Sequence, residues 1–67
     1  MSEKRFYEVC FKIGEFWHSN IAHSDSVEKV NKYYSKYEQH GTYNIDDSIL
    51  AHTLSEARCK GKPIVEI

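Results

Sequence analysis

Residues 25–40 carry the strongest helical pattern in the chain. Their apolar and aromatic positions are spaced i, i+3, i+7 and i+10, which places them on one face of an α-helix. These core-facing positions are Val27, Val30, Tyr34 and Tyr37. Asp25 is a suitable N-cap, with Glu28 three residues later completing a capping box. Gly41 fits a left-handed C-terminal cap.

A second helix is predicted over residues 46–60. Asp46 is its expected N-cap, and Gly61 and Pro63 end it. The residues predicted to form its buried face are Ile49, Leu50, Thr53, Leu54 and Ala57. Residues 41–45 are too few for anything but a short loop, so the two helices are expected to pack antiparallel.

Three further segments have strand character. Residues 5–13 alternate with a period of two and are rich in aromatic and β-branched side chains, and residues 15–22 follow them after Gly14. The two segments predict a hairpin that turns at this glycine. Residues 64–67 are short and β-branched and follow a proline, as a third strand would.

The turn residues leave the hairpin register open. A two-residue loop would place Phe16, His18 and Ala22 on the face of the first strand's apolar residues. A three-residue loop would place Trp17 and Ile21 there instead, which makes the better core.

The predicted architecture is α+β with the order β-β-α-α-β in a single domain, residues 1–67. Two antiparallel helices would cover one face of a three-stranded sheet. The last strand would be antiparallel if it pairs with the second strand and parallel if it pairs with the first. A chain of 67 residues buries a small core, so its stability should be marginal.

Composition and charge restrict the function classes. The formal net charge of −1 argues against a protein held to nucleic acid by overall charge. No apolar run reaches the length of a signal peptide or a membrane span, so a cytoplasmic protein is expected. No nucleophile motif, glycine-rich phosphate loop or paired-carboxylate motif is present, and we therefore expect no enzymatic activity.

Two cysteines and four histidines raise the question of a zinc site. Under the three-residue loop, Cys10 and His18 would share one hairpin face, at the level of His52 in the second helix. Cys59 is the fourth candidate ligand, although it lies about 10.5 Å further along the helix axis than His52. No C-x-x-C or H-x-x-x-H spacing is present. This absence favours the simpler interpretation of small apolar thiols and surface histidines, with no cofactor.

Two groups of exposed residues are candidate binding surfaces. Lys29, Lys32 and Lys36 form a stripe on the first predicted helix that could follow a phosphate backbone, although an ordinary solvated helix face explains it better. The chain also has more aromatic residues than one sheet face can bury. The candidate anchors of a protein interface are Trp17, Tyr33 and Tyr43. The alternative, of equal weight, is that these side chains cover the open back of the sheet.

The short length, the compact mixed α/β pattern, the lack of a catalytic signature and the aromatic surplus together resemble a group of small phage-encoded proteins. These are the anti-CRISPR proteins that inhibit type II-A Cas9. The resemblance implies a protein of the host bacterial cytosol that binds an effector nuclease and blocks guide or target loading sterically. A structural zinc in such an inhibitor would suit the Cys and His content. The exposed aromatic residues predict a monomer that binds a larger target, or a homodimer across the bare sheet face. We therefore predict a small protein-binding module that has no membrane contact. The alternative is a nucleic-acid-binding or regulatory protein that uses the lysine stripe.

Overall fold

The computed structural model describes residues 3–67. Its elements follow in the order β1 (Arg5–Ile13), β2 (Phe16–Ser24), α1 (Val27–Tyr33), β3 (His40–Asn44), α2 (Leu50–Cys59) and β4 (Ile64–Glu66). The strands form one mixed sheet in the order β3-β1-β2-β4. β1 pairs antiparallel with both β2 and β3, and β4 pairs parallel with β2. The α+β class is confirmed, but the sheet has four strands and not three.

The β1–β2 hairpin turns through a two-residue loop. Ile13 lies opposite Phe16, and Gly14 adopts φ +62°. A glycine with positive φ in the first loop position is the requirement of a type II′ turn, whose twist matches that of the flanking strands. The preference for a three-residue loop was therefore wrong. Ile21 is still buried, but on the other face of the sheet from Ala22.

The first helix is shorter than predicted. Ser26, not Asp25, is the N-cap, and its hydroxyl accepts a hydrogen bond from the Glu28 backbone N–H at 3.1 Å. α1 ends at Tyr33, and the chain then turns into β3, where a loop over residues 41–45 was predicted. Residues 40–44 form a strand here because the outer edge of β1 offers them backbone partners, from Phe11 opposite His40 to Tyr7 opposite Asn44.

The extra strand also explains the direction of β4. After β2, the direction of the chain reverses from each element to the next. The strand β3, which lies between the two helices in the sequence, adds one reversal. β4 therefore runs parallel to β2, whereas pairing with the second strand had been expected to be antiparallel.

α1 covers one face of the sheet and forms the main core with it. The buried cluster consists of Tyr7, Val9, Phe11, Ala22, Val30 and Tyr34. The Tyr34 hydroxyl accepts a hydrogen bond from the Asn20 side-chain amide at 3.1 Å. Two of the four predicted core positions in this helix region are thus fully buried. Tyr37 is half-buried against the cluster, and Val27 is 41% exposed.

α2 lies on the opposite face, so the prediction that both helices share one face was wrong. Its Ala57 is 3% exposed, and together with Thr53 it lines a groove whose floor is Glu8 and Ile21. The helix begins at Leu50, four positions later than predicted. Asp46 does not cap it. The Asp46 carboxylate instead accepts a hydrogen bond from the Ser48 backbone N–H at 2.9 Å in the preceding turn.

Candidate protein-binding surface

The hairpin is longer than the helices that cover it. β1 and β2 have nine residues each, which corresponds to about 30 Å of extended chain. α1 has seven residues and α2 has ten, or about 10 Å and 15 Å of helix. The end of the hairpin that carries the turn is therefore left without a helix on either side.

Three apolar side chains occupy this uncovered end, and we call them the hairpin-end surface: Ile13, Phe16 and Trp17. They are 49%, 73% and 57% exposed, respectively. Ile13 and Phe16 are cross-strand partners on the α1 side of the sheet. Trp17 points to the α2 side, beside its cross-strand partner Lys12. The hairpin end is thus apolar on both sides.

The structure separates the three aromatic residues predicted to anchor a partner. Trp17 and Tyr43 both point to the α2 side of the sheet, because their cross-strand partners on β1 are Lys12 and Glu8. Tyr43 is 60% exposed. Tyr33 is 48% exposed but belongs to α1, on the other side of the sheet. One continuous surface therefore cannot include all three.

The sequence reasoning missed Ile13 and Phe16. Both had been assigned to strands without regard to exposure. Their place at the turn end of the hairpin was the signal that could have identified them. In a two-residue loop the residues that flank the loop are the last pair of the hairpin. Such a pair is covered only if a helix reaches that far.

The predicted zinc ligands do not converge. Cys10 pairs with Ser19 while His18 pairs with Phe11, so the thiol and the imidazole point to opposite faces. His18 instead stacks on Phe11, with the ring centroids 5.8 Å apart. His52 is an exposed residue 3.5 Å from the Glu56 carboxylate, and Cys59 is exposed. Within residues 3–67, no three His, Cys, Asp or Glu side chains gather as a metal would require.

The lysine stripe is also altered by the early end of α1. Lys29 forms an ion pair with Asp25 at 2.9 Å and holds the pKa of that carboxyl below its usual value. Lys36 lies beyond the helix, with its ammonium 5.3 Å from the centre of the Tyr33 ring. Lys32 lines a shallow apolar patch. The three lysines therefore no longer form one helical row.

Two other lysines border the hairpin-end surface on the α2 side. Lys62 donates a hydrogen bond from its ammonium to the Ser19 hydroxyl at 2.7 Å. Lys12 is the cross-strand neighbour of Trp17. In the described part of the chain, neither ammonium has a carboxylate partner within 4 Å. The α2 side of the hairpin end is thus apolar, with Lys12 beside Trp17 and with Lys62 in a groove that Glu8 and Glu56 also line.

No family model, curated protein or solved structure matches the chain. Among the described residues, no helix has the length and apolar character needed to cross a membrane. Functional reasoning therefore depends on the chain's own surface.

Proposed function

We propose that this protein is a small protein-binding module and that the hairpin-end surface is its main contact. The observation that carries the proposal is the exposure of Phe16 and Trp17, at 73% and 57%, beyond the reach of both helices. Large aromatic side chains are the commonest anchors of protein interfaces, because each one buries a large area at low cost in side-chain entropy. Clusters of exposed apolar residues on small soluble domains commonly mark interaction sites.

The proposed partner class is a bacterial effector nuclease of the Cas9 type, which the protein would block sterically in the host cytosol. This part of the proposal is supported by the resemblance to small phage-encoded inhibitors. The surface itself supports protein binding, and the resemblance supports the choice of target.

The nucleic-acid alternative has less support. Lys29 is already neutralised by Asp25, and Lys36 is turned onto tyrosine rings. The two interpretations differ in salt dependence. Binding through phosphate contacts weakens steeply as salt rises, whereas an interface anchored by aromatic residues weakens less.

The test is inhibition of DNA cleavage by purified type II-A Cas9–guide complexes, together with direct binding of the same complexes. The wild-type protein should bind and inhibit, and the double variant Phe16→Ala/Trp17→Ala should lose at least about tenfold in affinity. The matched control is Tyr33→Ala/Ile49→Ala, which removes side chains that are 48% and 52% exposed elsewhere and should behave as wild type. If no such complex is bound, the target class is wrong. If the hairpin-end variant binds like wild type, the proposed surface is wrong.

A further inference from the structure

β2 has an unpaired edge next to the hairpin-end surface. The Ile21 backbone N–H donates to the Pro63 carbonyl at 3.3 Å, and the His23 carbonyl accepts from the Ile67 N–H at 3.0 Å. The odd-numbered residues of β2 therefore direct their backbone groups away from β1 and toward β4. β4 pairs only with residues 21–23. Closer to the turn, the N–H and C=O groups of Trp17 and the N–H of Ser19 point off the sheet beyond the pairing with β4, whereas Lys62 and Pro63 lie beside the rest of Ser19.

Residues 16–20 themselves carry none of the usual protection against strand pairing, and Lys62 reaches the edge only at Ser19. Natural edge strands are commonly blunted by charged side chains, proline or bulges. Residues 16–20 contain no charged residue and no proline, and their pairing with β1 is continuous, without a bulge. The same five residues include Phe16 and Trp17, which expose apolar area on opposite sides of the strand. An added strand would thus find backbone partners and an apolar contact on each face.

We propose that the partner contributes an extended segment that adds to the sheet along residues 16–20 of β2. This inference rests on the proposed protein-binding function and specifies its mode. The segment lies along the outer edge of β2 on the turn side of Lys62 and Pro63, and its backbone pairs with Trp17 and with the Ser19 N–H. Its alternate side chains contact Phe16 and His18 on one face and Trp17 on the other.

The surrounding charges specify the chemistry of this segment. On the Trp17 face, Lys12 and Lys62 border the edge, and neither ammonium lies within 4 Å of a carboxylate among the described residues. The acidic residues around this face are Glu15 in the turn, and Glu8 and Glu56, which line the groove beside Lys62. An acidic side chain of the partner is therefore favoured on the Trp17 face near Lys12, between the turn and that groove. On the Phe16 face of the strand, an aromatic or β-branched side chain of the partner would pack best against Phe16.

The experiment selects random twelve-residue peptides displayed on phage against the immobilised full-length protein, and then measures the enriched peptides as synthetic probes. Enrichment of alternating apolar residues with Asp or Glu is expected. Hydrogen exchange of the wild-type protein should show new protection of the Trp17 and Ser19 amides when a probe binds. Enrichment without that alternation, or no enrichment, would overturn the proposal.

Ser19→Pro tests the backbone contact directly, because it removes an N–H that points off the sheet and bonds to no other strand. It should weaken probe binding about tenfold or more, since one hydrogen bond is lost and a partner group is left unpaired. Thr42→Pro is the matched control, because Thr42 lies in the other edge strand and its N–H also points outward. Should Ser19→Pro fail to fold, the exchange measurement on wild type still decides the question.

The outcomes separate this inference from the proposed function. If Phe16→Ala/Trp17→Ala loses the probe while Ser19→Pro retains it and the two amides stay unprotected, strand addition is wrong and the hairpin-end surface stands. If the aromatic variant keeps full affinity for the probe and for the nuclease complex, the proposed function fails as well. A concentration-dependent dimer in sedimentation that Ser19→Pro abolishes would show that a second copy occupies this edge, and it would overturn the proposal of a partner segment.

Discussion

Replacing Val30 with alanine should destabilise the protein by about 2 kcal/mol. The Val30 side chain is 0% exposed and packs in the core cluster under α1. The substitution removes two buried carbon groups, at about 0.8 kcal/mol each. The space left behind costs about 1 kcal/mol more, and the higher helix propensity of alanine returns roughly 0.5 kcal/mol. A domain of 67 residues has a total stability of about 3–10 kcal/mol, so the loss is a large share of it.

Val27→Ala is the matched control because it makes the same chemical change in the same helix. Val27 is 41% exposed, so less of its transfer free energy is lost on truncation. The gain in helix propensity offsets most of the remainder. We expect a change of less than about 0.5 kcal/mol in the free energy of unfolding.

Urea unfolding followed by far-ultraviolet circular dichroism measures both variants. For a chain of this size the denaturant slope is about 1 kcal/mol per molar urea, so Val30→Ala should lower the midpoint by about 2 M. Equal shifts for the two variants would mean that α1 presents a different face to the sheet. No shift for either would mean that α1 does not belong to the core.

Two further predictions concern side-chain partners. Tyr34→Phe should cost about 1–2 kcal/mol in urea unfolding, because the Asn20 amide loses the hydroxyl that it bonds at 3.1 Å. Burial raises the pKa of Tyr34 in the folded protein, so as the pH rises the tyrosine ionises first in the unfolded chain. The free energy of unfolding should therefore fall above about pH 10 in the wild type. The phenylalanine variant should lack this part of the fall. Hydrogen bonds from His23 and Lys4 hold the pKa of Glu66 below its usual value, so the stability it contributes is present near neutral pH and is lost on acidification below about pH 4.5. Glu66→Gln should flatten the acid side of the stability–pH curve, and an unchanged curve would contradict this reasoning.

The local signals in the sequence predicted the hairpin, the presence of both helices and the last strand, but not the end of α1 at Tyr33 or the start of α2 at Leu50. They failed at residues 40–44, because these five residues show no apolar alternation. The segment is a strand because the open edge of β1 accepts it, which is a tertiary effect. A glycine at position 41 was taken as a helix cap, yet within residues 3–67 only Gly14 and Gly61 have positive φ.

The placement of the helices depended on the hairpin register. With the two-residue loop, Ala22 faces the core under α1 and Ile21 faces the other side of the sheet. α2 covers that other side, where Ile21 and Ala57 are both buried. A one-residue error in register exchanges the two faces of a strand, so the expected placement of both helices on one face and the expected proximity of Cys10 and His18 were wrong together. The aromatic surplus made Trp17 a candidate for exposure, although the preferred three-residue loop would have placed it in the core. The exposure of Ile13 could not be predicted, because it depends on how far a helix reaches over the sheet.

The side chains of the hairpin-end surface can contribute too little binding free energy for a tight complex, which favours a partner that also pairs with the backbone of β2. Phe16 and Trp17 expose 73% and 57% of their surfaces, and burying that area would contribute together about 6 kcal/mol before any cost. Association alone costs about 4–15 kcal/mol, so the aromatic pair cannot hold a partner tightly by itself. Backbone pairing along the free edge of β2 would add to the apolar contact without displacing any core residue, because no member of the core cluster lies nearer to the turn than Phe11. For the same reason, Phe16→Ala/Trp17→Ala should lose its partner while remaining folded.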